Sequence, residues 1–325
     1  MSLGRLGLIQ AGQPSKQCPT LAEMTADATA TAADIVEGKT AYARGEKLTG
    51  TLVPVTKIDV AAEGIKFSYS TFEEVPEVFD FSNVTDLSYI FDSCKSLISL
   101  PSNLNWGKMA NVVAAFRGTT SLNYEVNIVS LDVPSLEGIF QRSNISKILN
   151  LSVKNASTAF SAFDNSKLTE IGNIDLPDTL NVSYAFSNSP IVHFPKINAP
   201  KVINCTYTFV LNRSMQSLEY WDFSNVTAAT NMFKGCSALS SIGDVIFLHT
   251  SLSLADSPNI DEDTLKLLGG FAYASGESGV APLKSLGLPA AALTFNTAAQ
   301  TFLETEGIIA KLTDENWTVN FADSM

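Results

Sequence analysis

Two segments that lie 23 residues apart share one pattern: Ser157-Thr-Ala-Phe-Ser-Ala-Phe-Asp-Asn-Ser-Lys-Leu168 and Leu180-Asn-Val-Ser-Tyr-Ala-Phe-Ser-Asn-Ser-Pro-Ile191. In each segment a small residue follows the second aromatic after three positions, and an aliphatic residue closes the unit. The pattern returns throughout Phe79–Ile242. Its central phenylalanines follow each other at 25, 24, 23, 23, 23 and 24 residues: Phe91, Phe116, Phe140, Phe163, Phe186, Phe209 and Phe233. A self-similar period of this length is typical of a solenoid.

The period has a simple physical meaning. One unit is too short to bury its own apolar side chains, but stacked units place Phe over Phe and Leu over Leu in continuous columns. Prolines such as Pro177 and Pro200, together with frequent asparagines, favour short strands broken by turns. Helical spacing is not sustained over the length of a helix. We therefore expect a mainly β repeat solenoid with the seven phenylalanines as its core.

The end units carry a family resemblance. Asp80-Phe-Ser-Asn-Val-Thr85 precedes Phe91-Asp-Ser-Cys-Lys-Ser-Leu97, and Asp222-Phe-Ser-Asn-Val-Thr227 precedes Phe233-Lys-Gly-Cys-Ser-Ala-Leu239. These units resemble the leucine-rich repeats of BspA-like (Treponema-type) surface proteins, over about half of the chain. The resemblance implies a curved solenoid that is used for binding and has no enzyme activity.

A second resemblance lies near the N-terminus. The residue pattern predicts a helical turn at Ala33–Val36, followed by a hairpin. The two strands of this hairpin should be Lys39–Ala43 and Lys47–Leu52, with Arg44-Gly45 between them. The stretch is similar to a small module of bacteriophage tail and fibre proteins, which implies a tail- or fibre-type virion protein. The alternative is an ordinary hairpin of some other surface protein. The positions that fit the phage module are Ala33, Asp34, Ile35, Gly38, Lys39, Ala41, Tyr42, Gly45, Gly50 and Thr51.

These patterns divide the chain into four parts. Residues 1–52 are expected to be an N-terminal arm and attachment module, and residues 53–78 a linker and N-terminal cap with a strand pair at 65–78. The solenoid should span 79–258, and residues 259–325 should form a C-terminal cap. In that cap we expect helices at Glu262–Phe271 and from Asn296 or Thr297 to about Leu312, and strands at Leu283–Leu288, Ala291–Phe295 and Trp317–Phe321.

Composition excludes several classes of function. A net charge of −12 with no basic cluster argues against a nucleic-acid partner and against an anionic membrane. The sequence contains no run that would insert into a membrane and no evident secretion signal. Cys94 and Cys236 occupy one repeat position six units apart, and neither a CxxC motif nor a Cys/His cluster is present. We therefore expect no disulfide framework, no metal and no cofactor.

One face of the predicted solenoid could bind a ligand. Residues between the buried aliphatic positions of each unit should point outward, and their aromatic members could stack on sugar rings. A solvated sheet face with scattered aromatics explains the same residues equally well. The candidate binding face comprises Tyr124, Lys147, Glu170, His193, Glu219 and Tyr220.

The two resemblances and the missing signal together favour a non-enzymatic bacteriophage virion protein, assembled in the host cytoplasm. Its N-terminal segment would bind other virion proteins or copies of itself in a homo-oligomer, and its solenoid would bind a host cell-surface glycan or protein. The alternative is a BspA-like adhesin on a bacterial cell surface. A third reading, a glycan depolymerase, rests only on the acidic, aromatic-bearing face.

Overall fold

The chain folds as a β-solenoid, as its period predicts. The computed structural model describes residues 57–246, 248–270, 280, 282–284 and 286–323, with the backbone alone at 39–43, 46–50, 244 and 246. The solenoid makes about 11 turns, and its strands pair in parallel. Parallel pairing follows from the connectivity, because each coil returns to the same edge before the next strand begins.

Most coils contribute one short strand to the lateral sheet. Strands β3 and β4 pair in parallel, as do β5–β6–β7 and β8–β9–β10. The coil between β4 and β5 carries a 3-10 helix at Trp106–Lys108 instead. The strands are β3 Ile58–Asp59, β4 Phe79–Asp80, β5 Val126–Asp132, β6 Lys147–Lys154, β7 Glu170–Asp175, β8 His193–Phe194, β9 Ser217–Asp222 and β10 Ser241–Ile246.

The seven predicted phenylalanines form the central column of the core. Neighbouring rings stack with centroids 5.4–6.1 Å apart and interplanar angles of 7–17°. The column begins one coil earlier than predicted, because Phe67 stacks on Phe91 at 5.6 Å. The expected strand pair at 65–78 does not form, since that segment consists of turns that carry Phe67 into the column.

A ladder of polar side chains starts the turn before six of the seven phenylalanines, and Ala228 stands in the equivalent place before Phe233. Five positions before the ring, an Asp, Asn, Ser or Thr accepts a hydrogen bond from the backbone N–H two residues later, at 2.7–3.2 Å. This bond satisfies an amide that the parallel bridge leaves without a partner. The ladder explains why Asn-x-Ser/Thr sequences recur at Asn181 and Asn204. Its members are Asp86, Asn111, Ser135, Thr158, Asn181 and Asn204.

Each full coil has two left-handed corners, two residues before and two residues after its phenylalanine. Tyr184 and Tyr207 hold the first corner at φ 57° and 58°, and Asn231 holds it in the next coil at φ 53°. Among the described residues with positive φ, none is Val, Ile or Thr. The absence of β-branched residues is expected, because a branched Cβ makes this conformation most costly.

The C-terminal part continues the parallel stacking in a three-stranded sheet of β11 (Leu252–Leu254), β12 (Ala291–Phe295) and β13 (Trp317–Phe321). Helix α1 (Glu262–Leu268) is capped by Asp261, as predicted, and ends three residues early. The predicted second helix is divided into a 3-10 turn at Thr297–Ala299, α2 (Gln300–Thr305) and α3 (Ile308–Asp314). Gly307, at φ 69°, breaks it between α2 and α3. The described residues of the expected strand at 283–288 form turns instead.

The predicted N-terminal hairpin is confirmed. Strands β1 (Lys39–Ala43) and β2 (Glu46–Gly50) pair antiparallel, with Ala43 opposite Glu46. The predicted arm at 1–20, the helical turn at Ala33–Val36, and Cys18 lie outside the described residues.

Candidate binding surface

Three of the six predicted face residues lie on one outward column of the sheet. Lys147 opens β6 and stands beside Glu170, which opens β7, and their side chains form a 2.9 Å ion pair. The Glu170 carboxylate raises the pKa of Lys147 through this hydrogen bond. His193 occupies the same position one coil later, where its Nδ1 lies 2.9 Å from the Ser217 hydroxyl. The column therefore changes its chemistry at every coil.

Glu219 and Tyr220 form a second small cluster on β9. The Lys196 ammonium lies 4.1 Å from the centroid of the half-buried Tyr220 ring. The Glu219 carboxylate accepts a weak hydrogen bond from the Lys196 backbone N–H at 3.4 Å. With one ring face occupied by a cation, Tyr220 offers less stacking surface than the sequence suggests.

Tyr124 does not share this face. Its ring is half-buried against the core, 6.3 Å from the centroid of Phe140. Burial raises the pKa of its hydroxyl. Hydrogen bonds that involve the Asn127 backbone and the Trp106 side chain lower this pKa by a smaller amount. Trp106 comes from the 3-10 helix that replaces a strand in the previous coil, so the aromatic side chains of two coils meet at this corner. The strand pattern alone gives no sign of that meeting.

The sheet face does not assemble a Ser–His–carboxylate relay from its described residues. Such a relay needs a carboxylate on the ring nitrogen that faces away from the serine. Here the one hydrogen bond to the His193 ring is the Ser217 contact, and Glu170 is paired with Lys147. The described residues likewise contain no group of three or more His, Cys, Asp or Glu side chains that could hold a metal ion.

A second surface lies on the turn side, where the strand pattern gives no indication of it. Tyr184 and Tyr207 stack at 4.8 Å with an interplanar angle of 18°, and Phe160 meets Tyr184 edge-to-face at 6.0 Å. Asn231 follows in the next coil and donates from Nδ2 to the Tyr207 hydroxyl at 2.9 Å. We name these four residues the tyrosine ladder. The sequence carries a signal for it, since Tyr184 and Tyr207 stand two residues before successive core phenylalanines.

A notch, whose exposed lining is more apolar than polar, adjoins the end of the tyrosine ladder, where the last phenylalanine coil meets the C-terminal sheet. The notch has a volume of about 190 Å³. The Asp256 carboxylate accepts a hydrogen bond from the Gly235 backbone N–H at 2.7 Å, and the Asp323 carboxylate accepts one from the Thr297 hydroxyl. The polar residues that line the notch are Asn231, Lys234, Ser253, Asp256, Thr294 and Asp323.

The fold and these surfaces define the class of the protein: a repeat solenoid with a uniform interior and an outer surface that varies from coil to coil. The chain belongs to the family described as "Mycoplasma protein of unknown function, DUF285", which matches residues 64–170 and 154–245. This match confirms the repeat class that the BspA-like units indicate. No curated protein and no solved structure matches the chain. No helix among the described residues is both long and apolar enough to cross a membrane.

Proposed function

We propose that the protein is a non-enzymatic recognition protein carried on the outside of a bacteriophage particle. Residues 1–52 attach it to other virion proteins, and the solenoid faces a receptor on the host cell or a neighbouring subunit. The proposal concerns binding by surface complementarity, which solenoids support because each coil adds to one extended surface.

The main support for this proposal is the contrast between the uniform interior of the solenoid and its varied surface. Inside, successive coils repeat one phenylalanine in one stacked geometry. On the outside, the equivalent positions of one column of the sheet are occupied by different residues, namely Lys147, Glu170, His193 and Ser217. Because the interior carries the stability, the outer residues are free to vary for recognition.

The particle setting is supported by the N-terminal segment. The antiparallel hairpin of β1 and β2 forms within the stretch that resembles the phage tail and fibre module. An attachment segment that acts through a homo-oligomer would also multiply the strength of a weak receptor contact. A bacterial cell-surface adhesin is the second candidate, and it is compatible with membership of a BspA-like repeat family.

A truncated chain tests the division of labour. It should begin at Lys57, because Ile58 pairs with Phe79 and Val60 is only 2% exposed in the first coil. We expect this chain to melt cooperatively, to be absent from assembled particles, and to compete with intact particles for adsorption to host cells.

Incorporation of the truncated chain into particles at the level of the full chain would contradict the anchoring role of residues 1–52. Fractionation of an uninfected host separates the two settings. Detection of the protein on the surface of such cells would support the adhesin and overturn the virion assignment.

A further inference from the structure

The tyrosine ladder stops at a defined place. Tyr184 covers one face of Tyr207 at 4.8 Å. The other face looks toward the next coil, where Asn231 occupies the corner that Tyr184 and Tyr207 occupy in theirs. Within the described part of the chain, no ring covers that second face. Asn231 is shorter than a tyrosine, and its Nδ2 donates a hydrogen bond to the Tyr207 hydroxyl at 2.9 Å.

Asn231 joins the tyrosine ladder to the notch, because it bonds to Tyr207 and also lines the notch. An aromatic ring beside converging hydrogen-bonding groups suits a ligand that is apolar on one face and polar around its edge. A pyranose ring has this construction, since its C–H groups lie on a face and its hydroxyls point outward.

The charge of the notch selects among such ligands. Lys234 contributes one cation, whereas Asp256 and Asp323 contribute two carboxylates. Each carboxylate accepts one hydrogen bond from a protein group, so its remaining lone pairs can accept hydrogen bonds from ligand hydroxyls. The net negative balance disfavours sialylated, sulfated or uronic-acid groups and favours neutral sugars.

We propose that Tyr207, Asn231 and the notch form a binding site for a neutral hexose or N-acetylhexosamine unit of a glycan. The sugar ring stands where a third tyrosine would continue the ladder, and its hydroxyls bond to the side chains of the notch. This inference rests on the proposed receptor-binding function and names the ligand class and the surface.

The test uses the full chain on an array of neutral oligosaccharides, with sialylated, sulfated and uronic-acid glycans beside them. We expect retention by neutral glycans alone. Asn231→Tyr replaces the short side chain with a ring that the same corner already accommodates in three coils, so it should weaken binding roughly tenfold or more at unchanged melting temperature. Tyr207→Ala should do the same by removing the platform.

Tyr89→Ala is the matched control. Tyr89 stands at the same corner of an earlier coil and is 45% exposed, but its ring faces the Arg117 guanidinium at 5.3 Å rather than a notch. Its loss should leave glycan binding unchanged. Retention mainly by anionic glycans, or binding that survives both Asn231→Tyr and Tyr207→Ala, would overturn the site.

The two proposals fail differently. If particles carry the protein and need it for adsorption, but it retains no neutral glycan and captures a host surface protein instead, the sugar site is wrong and the receptor-binding role stands. If the array result holds but the protein is absent from particles, the virion role is wrong and the sugar site stands.

Discussion

Replacement of Phe186 by alanine tests the stacked core most directly. Its ring is 2% exposed and lies in the middle of the phenylalanine column. It stacks on Phe163 at 5.6 Å and on Phe209 at 6.1 Å, and it meets Phe194 edge-to-face at 4.9 Å. The substitution therefore removes three ring contacts at once and leaves a gap between two coils.

The expected loss follows from these contacts. A buried Phe→Ala change costs about 3–5 kcal/mol of the free energy of unfolding. Each aromatic pair contributes roughly 0.5–1.5 kcal/mol beyond the buried area, so three lost pairs place Phe186→Ala near the upper end, at about 4–5 kcal/mol. For a domain of this size that corresponds to a drop in Tm of roughly 8–20 °C.

Urea and thermal unfolding, followed by circular dichroism, measure this loss. Because each coil contacts only its neighbours, the gap should also weaken the coupling between the two halves, and the transition should broaden or split. Phe160→Ala is the control, since the same atoms are removed from a ring that is 37% exposed. It should cost much less, roughly 0.5–1.5 kcal/mol, because it loses one aromatic pair, with Tyr184. Equal losses in the two variants would refute the stacked column.

Three further predictions follow from single contacts. Gly243→Ala should cost about 1–3 kcal/mol in chemical denaturation, because a Cβ there would lie 2.0 Å from the Glu219 carbonyl oxygen; an unchanged midpoint would contradict this close approach. In a Cys18→Ser variant the three remaining thiols are buried, and burial raises the pKa of Cys236 to about 12, so a thiol reagent should react only after unfolding. Rapid labelling of the native variant would contradict their burial. The Asp178 carboxylate accepts a hydrogen bond from the Lys201 ammonium at 2.7 Å, and this bond holds the pKa of Asp178 below its ordinary value. The stability that Asp178 contributes is therefore present above its unfolded-state pKa and is lost as pH falls through its folded-state pKa. Between about pH 6 and about pH 2, the Tm of Asp178→Asn should fall by less than the Tm of the parent chain. Equal losses would contradict this linkage.

The candidate binding surface was only partly predictable. Lys147, Glu170 and His193 share one column because parallel pairing in a constant period brings equivalent positions together, and that could be inferred from spacing. Tyr124 turned inward because Trp106, from an irregular coil, packs near it, and spacing says nothing about such insertions. The binding role of this face remains a prediction.

The turn side illustrates the same limit. The spacing of Tyr184 and Tyr207 is visible in the sequence, but their 4.8 Å stacking depends on both corners adopting the left-handed conformation. The notch beside Asn231 also needs Thr294 and Asp323, which arrive from distant parts of the chain. Distant contributions of this kind have no local signature.

The period, the phenylalanine column, the parallel coils and the start of α1 can be deduced from the sequence. Each of these follows from near-neighbour rules, in which one repeated burial pattern and one cap residue suffice. Three features become visible only in the folded chain: Phe67 begins the column, α2 and α3 are separate helices, and a notch ends the tyrosine ladder. The physical reason is that these features depend on which surfaces meet across coils, and several arrangements of those surfaces are compatible with the same repeat pattern.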